Sequence, residues 1–190
     1  MSPRPGDDVV ARGRRTIIRR KRIADAAQEY GWRSDRELAR FDASRPVLSP
    51  FDTYQRNWSF DYRFTDTRRR SFAVEDENGR HIGNVMCYNV DGVRGEGEMG
   101  ISIGERECWS RGYGSDAVAA TARALFELGG LRRLSLHTLD WNVRAQKAFR
   151  KAGFVVTGTS WRDGHTFIVM ELRREWLDGA AAPVPRHAVA

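Results

Sequence analysis

Cysteine is scarce in this chain, and a membrane-spanning apolar run is missing. The two cysteines, Cys87 and Cys108, fall in no metal-ligand spacing and imply no disulfide framework, so no metal site is expected. A transmembrane helix needs ~20 consecutive apolar residues, and no stretch approaches that. The opening Met-Ser-Pro-Arg-Pro-Gly-Asp-Asp has no signal-peptide core and is too acidic for a transit peptide. The expectation is a cytoplasmic protein without membrane contact, in which the sequon at Asn57 to Ser59 carries no meaning. Internal repeats, a second domain and the Gly-Lys-Ser/Thr of a Walker A loop are absent as well.

What is present fits one domain: 190 residues, 41% apolar and 30% charged, enough to bury a substantial core. A net charge of +7 points to an anionic partner, beside the ordinary reading of a solvated basic surface. The chain is organised around residues 98–126. Met99, Ile101 and Ile103 alternate as in a strand, and Val118, Ala122, Leu125 and Phe126 line one face of a helix. Between them, Trp109-Ser-Arg-Gly-Tyr-Gly-Ser115 opens straight into that helix. Such a junction offers free N–H groups at the positive end of a helix dipole, a cradle for phosphate with Arg111 beside it. Gly95 to Gly100 also spells G-x-G-x-x-G, but a strand follows where a dinucleotide site needs a helix, and Glu96 and Glu98 would repel a pyrophosphate.

The rest alternates simply. Residues 1–13 read as a disordered arm, and Arg14 to Arg22 as an edge strand with solvated charges rather than a nucleic-acid-binding arm. Broken helix follows to Phe41, with a capping box at Ser34 and Glu37, and Ser49-Pro50 starts another helix. The segment from Phe51 to Phe64 is rich in aromatics (Tyr54, Trp58, Phe60, Tyr62), suited to core packing or to walling a pocket. Strands at 71–75, 81–89 and 98–104 form a meander through a type I′ turn at Asn78-Gly79 and a turn at Asp91-Gly92. A strand from Arg132 to Leu139 leads to Asn142 and a helix that buries Ala145, Ala148, Phe149 and Ala152. Arg144, Lys147, Arg150 and Lys151 of that helix project towards water or phosphates. A hairpin around Asp163-Gly164 and a flexible tail, residues 179–190, close the chain.

The loop Trp109-x-x-Gly112-x-Gly114 resembles the Q/R-x-x-G-x-G/A fingerprint of the GNAT N-acetyltransferase superfamily, with Trp109 in place of Gln or Arg. Asn142-Val-Arg-Ala, running into Lys151-Ala-Gly-Phe154, resembles the second signature of that superfamily. Ile17-Ile-Arg with Trp32-Arg-Ser-Asp, and Arg162-Asp-Gly-His with Met170 to Trp176, resemble the branch of ribosomal-protein alanine and serine N-acetyltransferases. The resemblance implies an α+β GNAT fold over residues 14–178, a mostly antiparallel twisted sheet of about seven strands flanked by helices.

It also implies acetyl transfer from acetyl-CoA to a primary amine. Backbone donors at Ile101, Ser102 and Ile103 would hold the acetyl oxygen, and the loop Trp109, Ser110, Arg111, Gly112, Tyr113, Gly114 and Ser115 the pyrophosphate. Asn142 would meet the pantetheine arm, act as a helix N-cap, or do both. For the catalytic base two readings stand: Glu98, which alternatively just lends charge with Asp91 and Glu96, and His137 on the neighbouring strand. Phe149 stands beside the donor sulfur where the family often carries an acidic Tyr. Tyr113 suits packing, and Cys108 has no base to activate it. The implied acceptor is a protein or peptide N-terminal α-amine; the alternatives are a small amine or antibiotic, or a catalytically silent CoA-binding module. Nucleic acid enters only through ribosome association, and homodimerisation stays open.

Overall fold

A computed structural model describes residues 8–63, 68–177 and 179, with side chains 60–63 outside the description. The elements run β1 (Val9–Arg12), β2 (Thr16–Arg20), α1 (Asp25–Ser34), α2 (Arg36–Phe41), α3 (Phe51–Arg63), β3 (Arg70–Asp76), β4 (His81–Asp91) and β5 (Glu96–Ile103). After a 3-10 turn come α4 (Tyr113–Glu127), β6 (Arg133–Leu139), α5 (Val143–Lys151), β7 (Val155–Arg162), β8 (His165–Arg173) and α6 (Arg174–Leu177). One eight-stranded sheet holds every strand in the order β1-β2-β3-β4-β5-β6-β8-β7. All neighbours are antiparallel except β5 and β6, which the helix α4 connects in parallel.

The α+β architecture agrees with the expectation, but the sheet has eight strands rather than seven. The extra strand, β1, lies in the stretch read as a loose arm; Val9 pairs with Arg19 and Arg12 with Ile17. This makes β2 an interior strand. Part of its basic run is neutralised within the protein, whereas Arg14, Arg20 and Arg22 are exposed to solvent as expected. The buried Arg19 donates to Asp25 at 2.8 Å and to Glu75 at 2.5 Å, Lys21 reaches Glu29 at 2.8 Å, and Arg22 pairs with Asp8. Residues 1–7 of the expected arm and 180–190 of the expected tail lie outside the described residues, as do Phe64 and the side chains of Phe60 and Tyr62.

Alternation along β2 divides the two layers. Ile18 joins Ala117, Val118, Ala122, Leu125 and Phe126 of α4 in a core that also takes Leu134, Leu136 and Phe154. Arg19 points to the opposite face, where α1 begins. Each fully buried Leu or Phe of that core stabilises the fold by about 1.5–3 kcal/mol relative to exposure.

Local details correct three readings. The N-cap of α2 is Asp35, not Ser34: Asp35 Oδ1 accepts from the N–H groups of Glu37 and Leu38 at 2.9 and 3.0 Å, while Ser34 is still helical in α1. The helix α3 starts at Phe51, one residue after Pro50. The Asn78-Gly79 turn is not type I′, because only Gly79 has positive φ; Asp76 Oδ1 instead gathers the N–H groups of Asn78 and Arg80. Asp163-Gly164, with φ of +52° and +80°, fulfils that geometry.

Candidate active site

The strands β5 and β6 pair only through Glu96↔Arg133, Gly97↔Leu134 and Glu98↔Ser135. Yet β5 stays paired with β4 as far as Ile103↔Gly83, and β6 with β8 as far as Leu139↔Phe167. Each strand keeps its outer neighbour and leaves the other, so a wedge opens in the sheet beyond Glu98. Arg133 N–H donates to the Gly95 carbonyl at 3.1 Å, which fixes the edge of β5 that faces β6. Alternation then turns the backbone N–H groups of Ile101 and Ile103 into the wedge. The Ser102 backbone faces β4 instead: a Cβ on Gly83 would stand 2.2 Å from the Ser102 carbonyl oxygen. Of the three residues expected to hold an acetyl oxygen, Ile101 and Ile103 therefore present donors and Ser102 does not.

At the apex, the carboxylate of Glu98 accepts from the Tyr88 hydroxyl at 2.8 Å and from Asn89 Nδ2 at 3.2 Å. His137 Nδ1 lies 2.8 Å from the same Oε1 that Tyr88 reaches. The two rival bases are thus one hydrogen-bonded pair. With Nδ1–H donated to Glu98, the lone pair of His137 sits on Nε2, which has no partner among the described residues. The ring edge of Phe167 flanks the imidazole, and Arg162 covers Phe167. Burial first, and the Glu98 hydrogen bond second, hold the Tyr88 phenol well above its usual range, so it stays a neutral donor. Asp42, just after α2, adds negative charge near that phenol. Asp91 and Glu96 do not join this cluster; they pair with Arg94 and Arg133.

The glycine loop has the geometry an anion requires. Gly112 takes φ of +92° as the N-cap of α4, no side chain caps the helix, and a Cβ on Gly112 would meet nothing within 4 Å. The N–H groups of the first turn are open to a phosphate. Arg15 Nη1 donates to the Arg111 carbonyl at 2.5 Å and holds that peptide in place. Ser110 has φ of +59°. The Ser115 hydroxyl donates back to the Gly112 carbonyl at 2.9 Å, so its side chain is not free for a ligand. Tyr113 is buried, as its packing role requires, and its hydroxyl accepts from Arg15 Nη2 at 3.2 Å. Asp116 accepts from the N–H groups of Arg14 and Arg15 and from the Thr16 hydroxyl, fastening the β1–β2 turn to the start of α4.

Asn142 is the N-cap of α5, its Oδ1 accepting from Ala145 N–H at 3.2 Å. Phe149 is buried against Phe154, and burial raises the Cys108 thiol above its usual range, which removes it as a nucleophile. Beyond the wedge, Trp109 Nε1 donates to the Ile103 carbonyl at 2.7 Å, at the end of β5. The Phe41 ring touches both Trp109, at 5.6 Å, and Trp141 just past β6, at 5.4 Å, so it spans the mouth of the wedge. The Arg144 guanidinium lies 3.6 Å above the Trp109 ring and 4.5 Å from that of Phe41.

Tyr88, Phe41 and Arg162 were not anticipated. Tyr88 was within reach of the sequence, because hairpin register sets it opposite Glu98. Phe41 had no local signal, since only the packing of α2 brings it there.

A wedge between parallel strands has backbone donors on one lip, suited to a carbonyl oxygen, and an open helix N-terminus behind, suited to an anion. The description "Acetyltransferase (GNAT) domain" fits residues 15–155, and the chain belongs to that family. It is an N-acetyltransferase whose cosubstrate is acetyl-CoA and whose acceptor is an amine. No curated protein matches it by sequence. Among solved structures, it resembles spermidine N-acetyltransferase from Vibrio cholerae in complex with CoA and spermine: TM-score 0.74, 19% identity, covering 84% of this chain and 96% of that one. It also resembles the aminoglycoside acetyltransferase AAC(6')-Ib in complex with coenzyme A: TM-score 0.72, 19% identity, covering 87% and 98%. Among the described residues, no helix is long and apolar enough to cross a membrane.

Proposed function

We propose that this enzyme acetylates a small amine bearing more than one positive charge, with His137 as the base and Glu98 as its orienting partner. The Glu98–His137 pair at the apex of the wedge carries the reading. Nε2 takes the proton from the acceptor ammonium, and Glu98 stabilises the imidazolium that forms. The N–H groups of Ile101 and Ile103 strengthen their hold on the carbonyl oxygen as negative charge grows there. The loop from Trp109 to Ser115 holds the pyrophosphate through backbone donors, and Asn142 meets the pantetheine arm. Bound there, acetyl-CoA supplies a thioester whose thiolate, at a thiol pKa of roughly 8.5, leaves without an obligatory acid. Phe149 in place of a tyrosine is compatible with that chemistry.

The Glu98 carboxylate at the apex favours a cationic acceptor, and the two solved relatives act on spermidine and aminoglycosides, both multiply charged amines. The sequence signatures at 17–35 and 162–176 favour a peptide α-amine instead. A competition assay with acetyl-CoA decides between them, offering spermidine, an aminoglycoside, a peptide with a free N-terminus, and the same peptide with only a lysine amine. Faster turnover of spermidine or the aminoglycoside is expected; preference for the free N-terminus would overturn the small-amine reading.

A further inference from the structure

Arg144 is a half-buried guanidinium without an acceptor. It stacks on Trp109 and Phe41 and makes no hydrogen bond or ion pair with any described residue. Among the described residues, the carboxylate that acts on it is Glu37, which is itself hydrogen-bonded to Arg106 at 2.9 and 3.0 Å. Five N–H donors are thus partly desolvated with nothing to receive them, an arrangement that favours a ligand acceptor.

We propose that Arg144 recognises a phosphate of the acyl donor, taking up the charge that Trp109 lacks at the first position of the glycine loop. The inference rests on the reading of this cleft as the acetyl-CoA site. Position supports it: the indole of Trp109 is fixed by its bond to the Ile103 carbonyl, so the cation stacked on it stands at the mouth of the wedge beside the loop. Chemistry supports it too. A planar guanidinium offers two parallel donors to phosphate oxygens, and stacking on a ring fixes its plane beforehand, so less side-chain freedom is lost on binding. Phe41, wedged between Trp109 and Trp141, closes the other side of the platform.

The test compares the wild-type enzyme with Arg144→Ala and Arg144→Met, the second keeping an apolar stem over Trp109. Donors are acetyl-CoA, acetyl-dephospho-CoA and S-acetylpantetheine, which carries no phosphate. Both variants should raise KM for acetyl-CoA by about tenfold or more, as expected for a charge-assisted bond, while kcat changes by less than about twofold. With S-acetylpantetheine, wild type and variants should be equal. A defect that persists with acetyl-dephospho-CoA places the contact on the pyrophosphate, and one that vanishes places it on the 3′-phosphate; both support the proposal. An unchanged KM, a full rescue by Met, or an equal defect with S-acetylpantetheine would overturn it, leaving Arg144 a packing residue. Failure of the wild-type enzyme to use acetyl-CoA would instead overturn the donor reading itself.

Discussion

His137 Nδ1 and Glu98 Oε1 stand 2.8 Å apart, joined across the last point at which β5 and β6 still pair. The bond assigns the two groups different work. Both oxygens of Glu98 are engaged, by Tyr88 and His137 on one and by Asn89 on the other. The free nitrogen belongs to His137.

His137→Ala should therefore lower kcat by about 10²–10⁴-fold, the usual loss for a general base. Glu98→Gln should also lower kcat, because an amide N–H₂ facing the ring favours the wrong tautomer. Neither change should alter acetyl-CoA affinity by calorimetry. The double variant should lose little more than His137→Ala alone, since the pair acts as a unit. A His137→Ala enzyme at wild-type rate, with Glu98→Gln inactive, would return the base role to Glu98.

Gly112→Val should abolish tight acetyl-CoA binding. At φ of +92° a side chain is strained, by about 1–2 kcal/mol, and the methyls would occupy the open space a phosphate needs. Arg111→Ala should weaken binding only modestly, because the main donors are backbone groups. Calorimetry on folded protein checks both; unchanged affinity in Gly112→Val would displace the cradle from this loop.

Asp116→Asn should destabilise the protein at pH 7 by about 1–3 kcal/mol, the cost of disturbing a charged acceptor. Burial alone would raise the Asp116 carboxyl, but the N–H groups of Arg15 and Arg14 and the Thr16 hydroxyl outweigh it and hold the pKa low. A depressed carboxyl stabilises the fold above the unfolded value, roughly pH 3.9, and that contribution is lost as pH falls through the folded pKa. Urea unfolding should show the gap between wild type and variant closing below pH ~4. A gap that stays constant down to pH ~3 would mean the carboxylate charge is immaterial.

Arg19→Met should cost about 3–5 kcal/mol, because it takes the guanidinium from two buried carboxylates and leaves Asp25 only the Arg22 N–H and His81, and Glu75 only the Arg22 side chain at 3.4 Å. Replacing Asp25 and Glu75 along with Arg19 by apolar residues should recover much of that loss. Chemical denaturation measures both; a single substitution within about 1 kcal/mol of wild type would show that water compensates the pair.

Much of this site was legible from the residues in order. The strand–loop–helix at 98–126 reports itself through alternation, glycines and a 3.6-residue stripe, all of them local patterns. Glu98 and His137 were both visible as candidate bases, but only as rivals, because they are 39 residues apart and their union depends on parallel register. The strand β1 was missed because Val9–Arg12 is only four residues long and follows a stretch of Pro, Gly and Asp, too short to give a periodic signal; it pairs with β2. The basic run misled for a similar reason, since the carboxylates that neutralise it come mostly from α1 and β3. Ser102 shows the limit of a motif: the pattern names three residues, and backbone alternation turns one of them away.

The bonds from Asp116 to Arg14, Arg15 and Thr16 join positions 102, 101 and 100 residues apart. Closing a loop of that size costs on the order of 4 kcal/mol in chain entropy. The pairing of β2 with β3, β3 with β4 and β4 with β5 shares that cost, because it carries the β1–β2 turn to the start of α4. Because Arg15 reaches the Arg111 carbonyl from that same turn, the shape of the glycine loop depends on residues about a hundred positions earlier in the chain. The glycine loop is in this sense a joint product of the β1–β2 turn and the middle of the chain.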